Sequence, residues 1–258
     1  MGVAVRCAAG SSTIGLVRKN NEDSAYVGRW LYAVADGLGG HVGGEIASAT
    51  VIESLRSCDN EVAAPDLAET LGRAVGTAND RLLSPVAVDP GLAGMGTTLT
   101  AMLWSGSRAA VAHLGDSRAY VLRQGRLLRI TEDHTLGNLV ADVAVAGSAR
   151  LAPVMVRYLD GRPDRSPDLI VREARPGDRY LLCSDGLSAV VAPGIIREVL
   201  ASAADPDMAT RQLISLADEG GGPDNTTVII VDVQDAKAAP APAEPMTLGA
   251  AADADPAR

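Results

Sequence analysis

Cysteine, lysine and long apolar runs are scarce in this sequence of 258 residues. The three cysteines, Cys7, Cys58 and Cys183, are widely spaced and form no CxxC pair, so neither a disulfide framework nor a zinc site is indicated. Phenylalanine is absent, and lysine occurs only at Lys19 and Lys237. This bias fits a high-GC coding sequence more readily than a chemical requirement.

No apolar run approaches the length of about 18 residues that a membrane span requires. The start of the chain also lacks the basic segment followed by a long apolar segment that marks a secretory signal. We therefore expect a cytoplasmic protein with no membrane partner. The formal net charge of -9 argues against a nucleic-acid partner, because phosphate backbones are held by clustered lysine and arginine and here the basic residues are scattered.

The composition, 47% hydrophobic and 21% charged, is typical of one globular domain. From about Asp235 the chain becomes rich in alanine and proline and loses apolar periodicity. Such a segment cannot offset its ordering entropy by burial. We therefore predict a folded domain over residues 1–234, a disordered tail over residues 235–258, and a monomer.

Short runs rich in valine, leucine, isoleucine and threonine predict strands at residues 30–35, 97–104, 109–114, 117–123, 178–184 and 226–233. Apolar residues at helical spacing predict helices at residues 44–55, 65–83, 193–201 and 207–217. Several strands are apolar throughout, as in sheets covered on both faces, and the short links between residues 97 and 123 favour antiparallel pairing. The pattern indicates a layered α+β protein with its sheets inside.

Three of the predicted strands meet an acidic turn at one end. The turns are Asp36-Gly37, Asp185-Gly186 and Asp224-Asn225. A carboxylate at the end of a buried strand sits on a rigid element, and hard divalent cations prefer oxygen ligands. Glycine beside the aspartate lets a backbone carbonyl approach the ion. Taken singly, each dipeptide is also a common turn.

Four further polar residues support the prediction of a metal site. Asp116 follows the strand predicted at residues 109–114, and Arg18, Glu22 and Asp23 lie close together near the start. Arginine can hold a phosphate through two parallel hydrogen bonds. One arginine among five or six acids is therefore typical of metal-assisted phosphoryl transfer.

The segments GLVRKNNEDS, VADGLGGHVGGE, MGTTLTA, HLGDSRAYVLRQGRL, TEDHT, LLCSDGLS and GPDNTTVIIV resemble the successive motifs of the PP2C (PPM) family of metal-dependent protein phosphatases, in the family's order. The resemblance runs from about Val5 to Val233 and is closest to the bacterial, actinobacterial-like type. Several independent motifs agree in sequence and spacing, so the resemblance is specific. It implies a four-layer α-β-β-α sandwich with two central antiparallel sheets and a metal cleft at one end.

The resemblance also implies the metal ligands. Asp36 would bridge two divalent cations, Mn²⁺ or Mg²⁺, and the Gly37 carbonyl would bind one of them. Asp185 and Asp224 would complete the other site.

The remaining site residues implied by the resemblance act around these ligands. Asp23, together with Glu22 as a further candidate, would hold metal-bound waters. Arg18 would bind the substrate phosphate, and Asp116 matches the ligand of a third, weaker metal in bacterial members.

With such a site, two bound cations would activate a water that attacks phosphorus directly, and no phosphoenzyme would be required. The proton donor for the leaving group stays open, because Leu38 stands where animal members have a histidine. His41 and a metal-bound water are the two alternatives. His113 and His134 are interpreted as structural.

Residues 135–177 differ from the longer, more regular flap of the family and are expected to border the cleft. Arg157, Arg162 and Arg165 in this segment could recognise an acidic phosphoprotein or could be solvated loop charges.

Three functions are compatible with these residues. The first is a phosphatase acting on phosphoserine and phosphothreonine proteins, opposing bacterial Ser/Thr kinases. The second is a catalytically silent phosphoprotein-binding relative, and the third is a two-metal phosphodiesterase or nuclease. The three retained aspartates favour the first over the second, and the negative charge argues against the third.

Overall fold

The computed structural model of the protein describes residues 3–38, 43–141, 154–235 and 244–254. Its strands are β1 (Val3–Thr13), β2 (Asp23–Val27), β3 (Leu31–Asp36), β4 (Leu99–Ser105), β5 (Arg108–Leu114), β6 (Arg118–Arg123), β7 (Arg126–Arg129), β8 (Asp168–Glu173), β9 (Arg179–Cys183), β10 (Thr226–Asp235) and β11 (Met246–Gly249). Its α-helices are α1 (Gly44–Arg56), α2 (Leu67–Arg81), α3 (Leu83–Val88), α4 (Leu136–Ala141), α5 (Asp185–Ser188), α6 (Pro193–Ser202), α7 (Pro206–Glu219) and α8 (Ala250–Asp253). Two 3-10 turns lie at Ala64–Asp66 and Pro90–Leu92.

The strands form two sheets. One has the order β1-β10-β9-β6-β7 and the other β11-β2-β3-β4-β5-β8. Neighbouring strands are antiparallel throughout both sheets. The predicted α+β sandwich with two central antiparallel sheets is confirmed.

Three apolar cores separate four layers. The first lies between α1, α2 and the six-stranded sheet, the second between the two sheets, and the third between the five-stranded sheet and α6 and α7. Strand β3 shows how the apolar runs serve two cores: Leu31 and Ala33 face the helices, whereas Tyr32 and Val34 face the other sheet. Because side chains alternate along a strand, a strand covered on both faces has to be apolar throughout.

Helix starts follow ordinary capping chemistry. Asp205 accepts a hydrogen bond from the Met208 backbone N–H at 2.7 Å and caps α7, whose first residue is Pro206. Pro193 likewise occupies the first position of α6. In the described ranges of the chain, no helix has both the length and the apolar character needed to cross a bilayer.

The prediction of a disordered tail is wrong for residues 246–253. Strand β11 pairs with the free edge of β2, and α8 packs against α1. Met246 and Leu248 contact the core between the sheets, and Ala250 and Ala251 are buried. The small and apolar residues of this segment can therefore be buried against an edge that the rest of the fold provides, which a composition argument does not detect.

Candidate metal centre

A cleft of about 500 Å³ opens at the end of the sandwich where β3 and β9 finish and β10 begins. Its lining residues are Arg18, Glu22, Asp36, Gly37, Leu38, Asp116, Val154, Met155, Tyr158, Asp185, Asp224 and Asn225. The three acidic turns predicted from the sequence thus meet in one place, together with Asp116, Glu22 and Arg18. Asp23 lies behind this lining, fully buried and paired with Asp36 in the register of β2 and β3.

The carboxyl groups in the cleft are close enough to oppose one another's ionisation. Desolvation and then the charges of Asp23 and Asp185 raise the pKa of Asp36 well above its ordinary value. Desolvation and then the charge of Asp224 raise the pKa of Asp185, and the nearby Asp36 carboxyl acts in the opposite direction. Burial, followed by the charge of Asp185, raises the pKa of Asp116 to about 7. Acids gathered in this way are stabilised as carboxylates by a nearby cation.

The pKa of Asp23 is also raised, and its side chain is more deeply buried than those that line the cleft. Burial raises the pKa of its carboxyl to about 7, against the hydrogen bonds that Thr227 and Ser184 provide. The Ser184 hydroxyl donates to Asp23 Oδ2 at 2.8 Å, whereas Oδ1 is buried without a hydrogen-bond partner. A buried oxygen of this kind fits a bridging water or a metal-bound water.

The set of donor atoms is oxygen-rich, which suits Mg²⁺ or Mn²⁺ rather than a softer metal. Within the part of the chain that the structure describes, no three His, Cys, Asp or Glu side chains form a closed cage that could hold an ion alone. Magnesium-type sites commonly use one or two carboxylates and keep several waters. The Asp36 and Asp185 pair, with the adjoining Gly37 carbonyl, fits that kind of site.

Asp224 and Arg18 are paired with each other. Arg18 Nη2 donates to Asp224 Oδ2 at 2.6 Å, and both side chains are about one-third exposed, at 39% and 33%. The sequence placed one as a metal ligand and the other on the phosphate, and did not predict their contact. Because a partly exposed ion pair contributes only about 0–1 kcal/mol, either group can exchange its partner for a ligand in the cleft.

The glycines of the two Asp-Gly turns are required by close packing of the backbone. A Cβ on Gly37 would lie 2.4 Å from the Gly44 carbonyl oxygen, and one on Gly186 would lie 2.0 Å from the Asn225 carbonyl oxygen. Neither glycine is among the described residues with positive φ. These dipeptides are therefore points where backbones from distant parts of the chain meet, beyond their role as local turns.

Replacing Gly186 by alanine is expected to lower the free energy of unfolding by at least about 2 kcal/mol, because the methyl group would push against the Asn225 backbone. Gly76 in α2 is a matched control, since a Cβ there meets nothing within 4 Å. Gly76→Ala should be neutral or stabilise by up to about 1 kcal/mol. Denaturant unfolding of both variants measures the difference, and equal stability would refute the packing argument.

Asn225 is a site residue whose structural role the sequence did not reveal. Its Oδ1 accepts from the Glu22 backbone N–H at 2.8 Å, and its Nδ2 donates to the carbonyls of Ile14 and Asn20 at 3.0 and 2.9 Å. The side chain thus fixes the loop that carries Arg18. The only available signal was the Asp-Asn dipeptide itself.

Hydroxyl groups connect the Asp36 turn with the Asp116 turn. The Asp36 N–H donates to Thr98 Oγ1 at 3.0 Å, and Thr97 Oγ1 donates to the Asp36 carbonyl at 2.9 Å. Thr98 Oγ1 also lies 2.8 Å from Ser117 Oγ, beside Asp116. The two turns are therefore held at a fixed separation.

His113 and His134 lie behind these turns and do not line the cleft. The backbone N–H of Gly115 donates to His134 Nδ1 at 3.1 Å, so we assign the ring proton to Nε2, which lies 2.9 Å from Asp168 Oδ2. Burial lowers the pKa of His113 to about 4, and its Nε2 lies 2.9 Å from the Glu132 carbonyl. Both contacts agree with a structural role, and His41 lies outside the described residues.

The described part of the flap borders the cleft as expected. Met155 forms an isolated antiparallel β-bridge with Thr135. Leu159 and Thr97 exchange two backbone hydrogen bonds of 2.9 Å. These contacts place Tyr158 in the cleft lining.

Comparison with known proteins agrees with this geometry. The sequence profile of the family described as protein phosphatase 2C matches residues 19–219. The chain belongs to the protein phosphatase 2C family. The resemblance seen in the motifs is thereby confirmed.

Relatives of this phosphatase 2C chain come from several bacteria. The serine/threonine protein phosphatase PstP of Mycobacterium tuberculosis is 47% identical over 232 residues, which cover 88% of this chain and 45% of PstP. The serine/threonine phosphatase stp of Listeria monocytogenes is 31% identical over 84% of this chain and 92% of its own. This chain therefore spans slightly less than half the length of the mycobacterial relative.

A solved structure of the catalytic domain of PstP in complex with two manganese ions superimposes on this phosphatase 2C chain with a TM-score of 0.82. The two are 45% identical, and the match covers 90% of this chain and all of the other. The family fold and the antiparallel sandwich described above thus coincide.

Proposed function

We propose that this chain is a metal-dependent phosphatase that hydrolyses phosphoserine and phosphothreonine in proteins and opposes Ser/Thr kinases. The observation that carries the proposal is the convergence of Arg18 and four aspartates in one cleft, namely Asp36, Asp116, Asp185 and Asp224. Burial and neighbouring charges raise the pKa of Asp36 and of Asp185 there, and a bound cation would offset both effects. The manganese-bound relative of the same fold supports the choice of metal.

The proposed ligands are those that the family resemblance implies, and all four residues line the cleft. Asp36 and the Gly37 carbonyl would hold one divalent cation, Mn²⁺ or Mg²⁺, and Asp36, Asp185 and Asp224 would hold the other. Two such cations, when bound, supply an activated water and offset the charge that builds on the phosphoryl oxygens.

Four other residues complete the proposed site. Asp23 and Glu22 act on the metals through water, and Asp116 provides a third, weaker position. Arg18 leaves Asp224 and binds the substrate phosphate, a task for which its planar guanidinium is suited.

A covalent mechanism through cysteine has no support in the cleft. None of the three cysteines is among its described lining residues. Cys183 is buried, and this burial raises the pKa of its thiol to about 12, so it is not a thiolate at neutral pH.

The proposal predicts Mn²⁺-dependent release of phosphate from a phosphothreonine peptide, lost on addition of EDTA and restored by excess Mn²⁺. Asp185→Ala should be inactive under the same conditions, because the second metal loses a ligand. A single-stranded oligonucleotide serves as the control substrate and should remain intact. Turnover that survives EDTA would refute the metal mechanism, and peptide binding without turnover would indicate a silent relative.

A further inference from the structure

Exposed apolar side chains gather on the two segments that border the cleft. Twelve large apolar residues are exposed in the described part of the chain, and five of them lie at residues 14–17 and at the hydrogen-bonded flap positions 136 and 154. The five are Ile14, Leu16, Val17, Leu136 and Val154. Scattered exposed apolar residues need no explanation, but a group beside a binding cleft indicates contact with a partner.

The first segment, residues 14–17, leads directly into Arg18 and is held firmly. Leu16 N–H donates to the Gly222 carbonyl at 2.8 Å, and a Cβ on Gly15 would lie 2.3 Å from the Asp224 carbonyl oxygen. Leu16 and Val17 nevertheless leave 68% and 66% of their surface exposed. A fixed backbone thus presents two aliphatic side chains at the edge of the phosphate position.

The flap forms the second side. Val154 lines the cleft, is 54% exposed, and accepts a hydrogen bond from the Leu136 N–H at 2.8 Å. Leu38 and Tyr158 converge on Gly96, where an added Cβ would lie 3.0 Å from Leu38 Cδ1 and 2.9 Å from Tyr158 Cδ2. The wall that includes these residues and Met155 is therefore apolar, and Leu38 belongs to it.

The three flap arginines named in the sequence analysis each contact an aspartate of the flap. Arg165 donates to both oxygens of Asp160 at 3.0 and 2.8 Å. Arg157 donates to Asp168 at 2.9 Å and to the Ser166 carbonyl at 2.6 Å. Arg162 also lies 3.3 Å from Asp160. The Arg165–Asp160 pair is nearly buried, with the two side chains 12% and 5% exposed, so an acidic segment would have to break it to use that arginine.

We propose that the cleft selects phosphoserine and phosphothreonine segments whose immediate neighbours on both sides are aliphatic. Residues 14–17 would bury the side chain on one side of the phosphoresidue, and the Leu38–Tyr158–Val154 wall the side chain on the other. The proposal rests on the proposed function, because it places the phosphate between Arg18 and the carboxylates.

The test compares three phosphothreonine peptides that differ only in their flanking residues, which are leucine, glutamate or arginine, with p-nitrophenyl phosphate as a substrate without flanks. The leucine peptide should exceed the glutamate peptide in kcat/KM by about tenfold, mainly through KM, since partial burial of one or two aliphatic side chains has that effect. Equal rates, or a preference for glutamate or arginine, would overturn the proposal.

Variants on each side locate the effect. Val17→Asn and Val154→Asn should each reduce the leucine-to-glutamate ratio by at least about threefold, because the amide removes the aliphatic contact without adding a charge that repels glutamate. Val88→Asn is the matched control, because Val88 is 88% exposed on α3 and does not line the cleft, and should keep the wild-type ratio. A ratio that is unchanged in both test variants would contradict the assignment.

Failure of the proposed function is distinguishable from failure of the selectivity. If Mn²⁺ produces no hydrolysis of any substrate, p-nitrophenyl phosphate included, the phosphatase proposal fails. Fluorescence anisotropy with the same three labelled peptides still ranks their affinities, and the leucine peptide should bind most tightly. An inverted or flat ranking would refute the aliphatic surface without reference to turnover.

Discussion

Asp36→Asn is expected to yield a folded protein whose Mn²⁺-dependent turnover of a phosphothreonine peptide is at least about a thousandfold below wild type, since metal-assisted charge stabilisation contributes several kcal/mol to such reactions. The substitution keeps the shape of the side chain and removes its charge. The backbone of residue 36 stays held by Thr97 and Thr98, so the turn itself should remain in place.

The same variant should be more stable than wild type when EDTA is present at pH 8. The raised pKa of Asp36 means that its ionised form is disfavoured in the folded protein by enclosure and by the neighbouring acids. A neutral amide relieves that repulsion, and we expect a gain of at least about 1 kcal/mol in the free energy of unfolding. Low activity with increased stability separates loss of a ligand from loss of the fold.

Asp164→Asn is the control for both measurements. Asp164 lies on the flap with 74% of its side chain exposed, 3.7 Å from Arg165. Its replacement should leave turnover within about twofold and stability within about 0.5 kcal/mol, as is usual for exposed positions. Retention of more than a tenth of the activity by Asp36→Asn, or a clear loss of stability, would contradict the assigned role.

The sequence predicted six of the seven inner strands of the described sheets and none of the edge strands. The inner strand that it missed is β2, which is buried at all five positions but begins with Asp23-Ser24. Strands β3, β4, β5, β6, β9 and β10 were predicted because their two buried faces make them apolar throughout. Strand β8 was not, because it lies at a sheet edge and alternates buried and exposed positions, with Leu169 and Val171 exposed. Strand β7 has only four residues, and its RLLR sequence gives no clear period.

The acids of the cleft were visible in the sequence, whereas the groups that hold them were not. Carboxylates at strand ends form a local pattern, and the family motifs added their grouping. The hydrogen bonds from Asn225 to the loop before Glu22 join residues more than 200 positions apart. Such contacts depend on the sheet topology, so no local pattern predicts them.

The flap arginines show a second property that the sequence could not predict, which is the pairing of charges within the fold. The sequence left open whether Arg157, Arg162 and Arg165 bind an acidic partner or are solvated. In the structure Asp160 and Asp168 pair with all three, but only Arg165 is nearly buried, whereas Arg162 stays 69% exposed. Charge composition reports how many ions a segment has, and only the fold determines which of them are already paired.

The stability advantage of Asp36→Asn over wild type in EDTA should grow as the pH rises from about 4, the ordinary pKa of aspartate, through the raised pKa of Asp36. A group whose pKa is raised by folding binds more protons in the folded state, so its stabilising contribution is lost as the pH rises through that window. Asp23 and Asp116, each with its pKa raised to about 7, titrate in both proteins and therefore cancel in the difference.

Two features make the comparison with wild type decisive. His113, whose pKa is lowered to about 4, contributes with the opposite sign, but it is present in both proteins and cancels in the difference. Asp160 and Asp168 have lowered pKa values and act below about pH 4, outside the window.

Added Mn²⁺ should reverse the order of the two proteins. Metal binds the deprotonated carboxylates, so its stabilising effect increases with pH and is larger in wild type than in Asp36→Asn. Thermal unfolding at pH 4.5 and 7.5, with EDTA or with saturating Mn²⁺, measures both changes. If the difference between the proteins in EDTA is independent of pH, Asp36 is not the centre of the acidic group. If Mn²⁺ stabilises the two proteins equally, Asp36 is not a metal ligand. If both changes occur, the repulsion among these carboxylates is what the metal relieves.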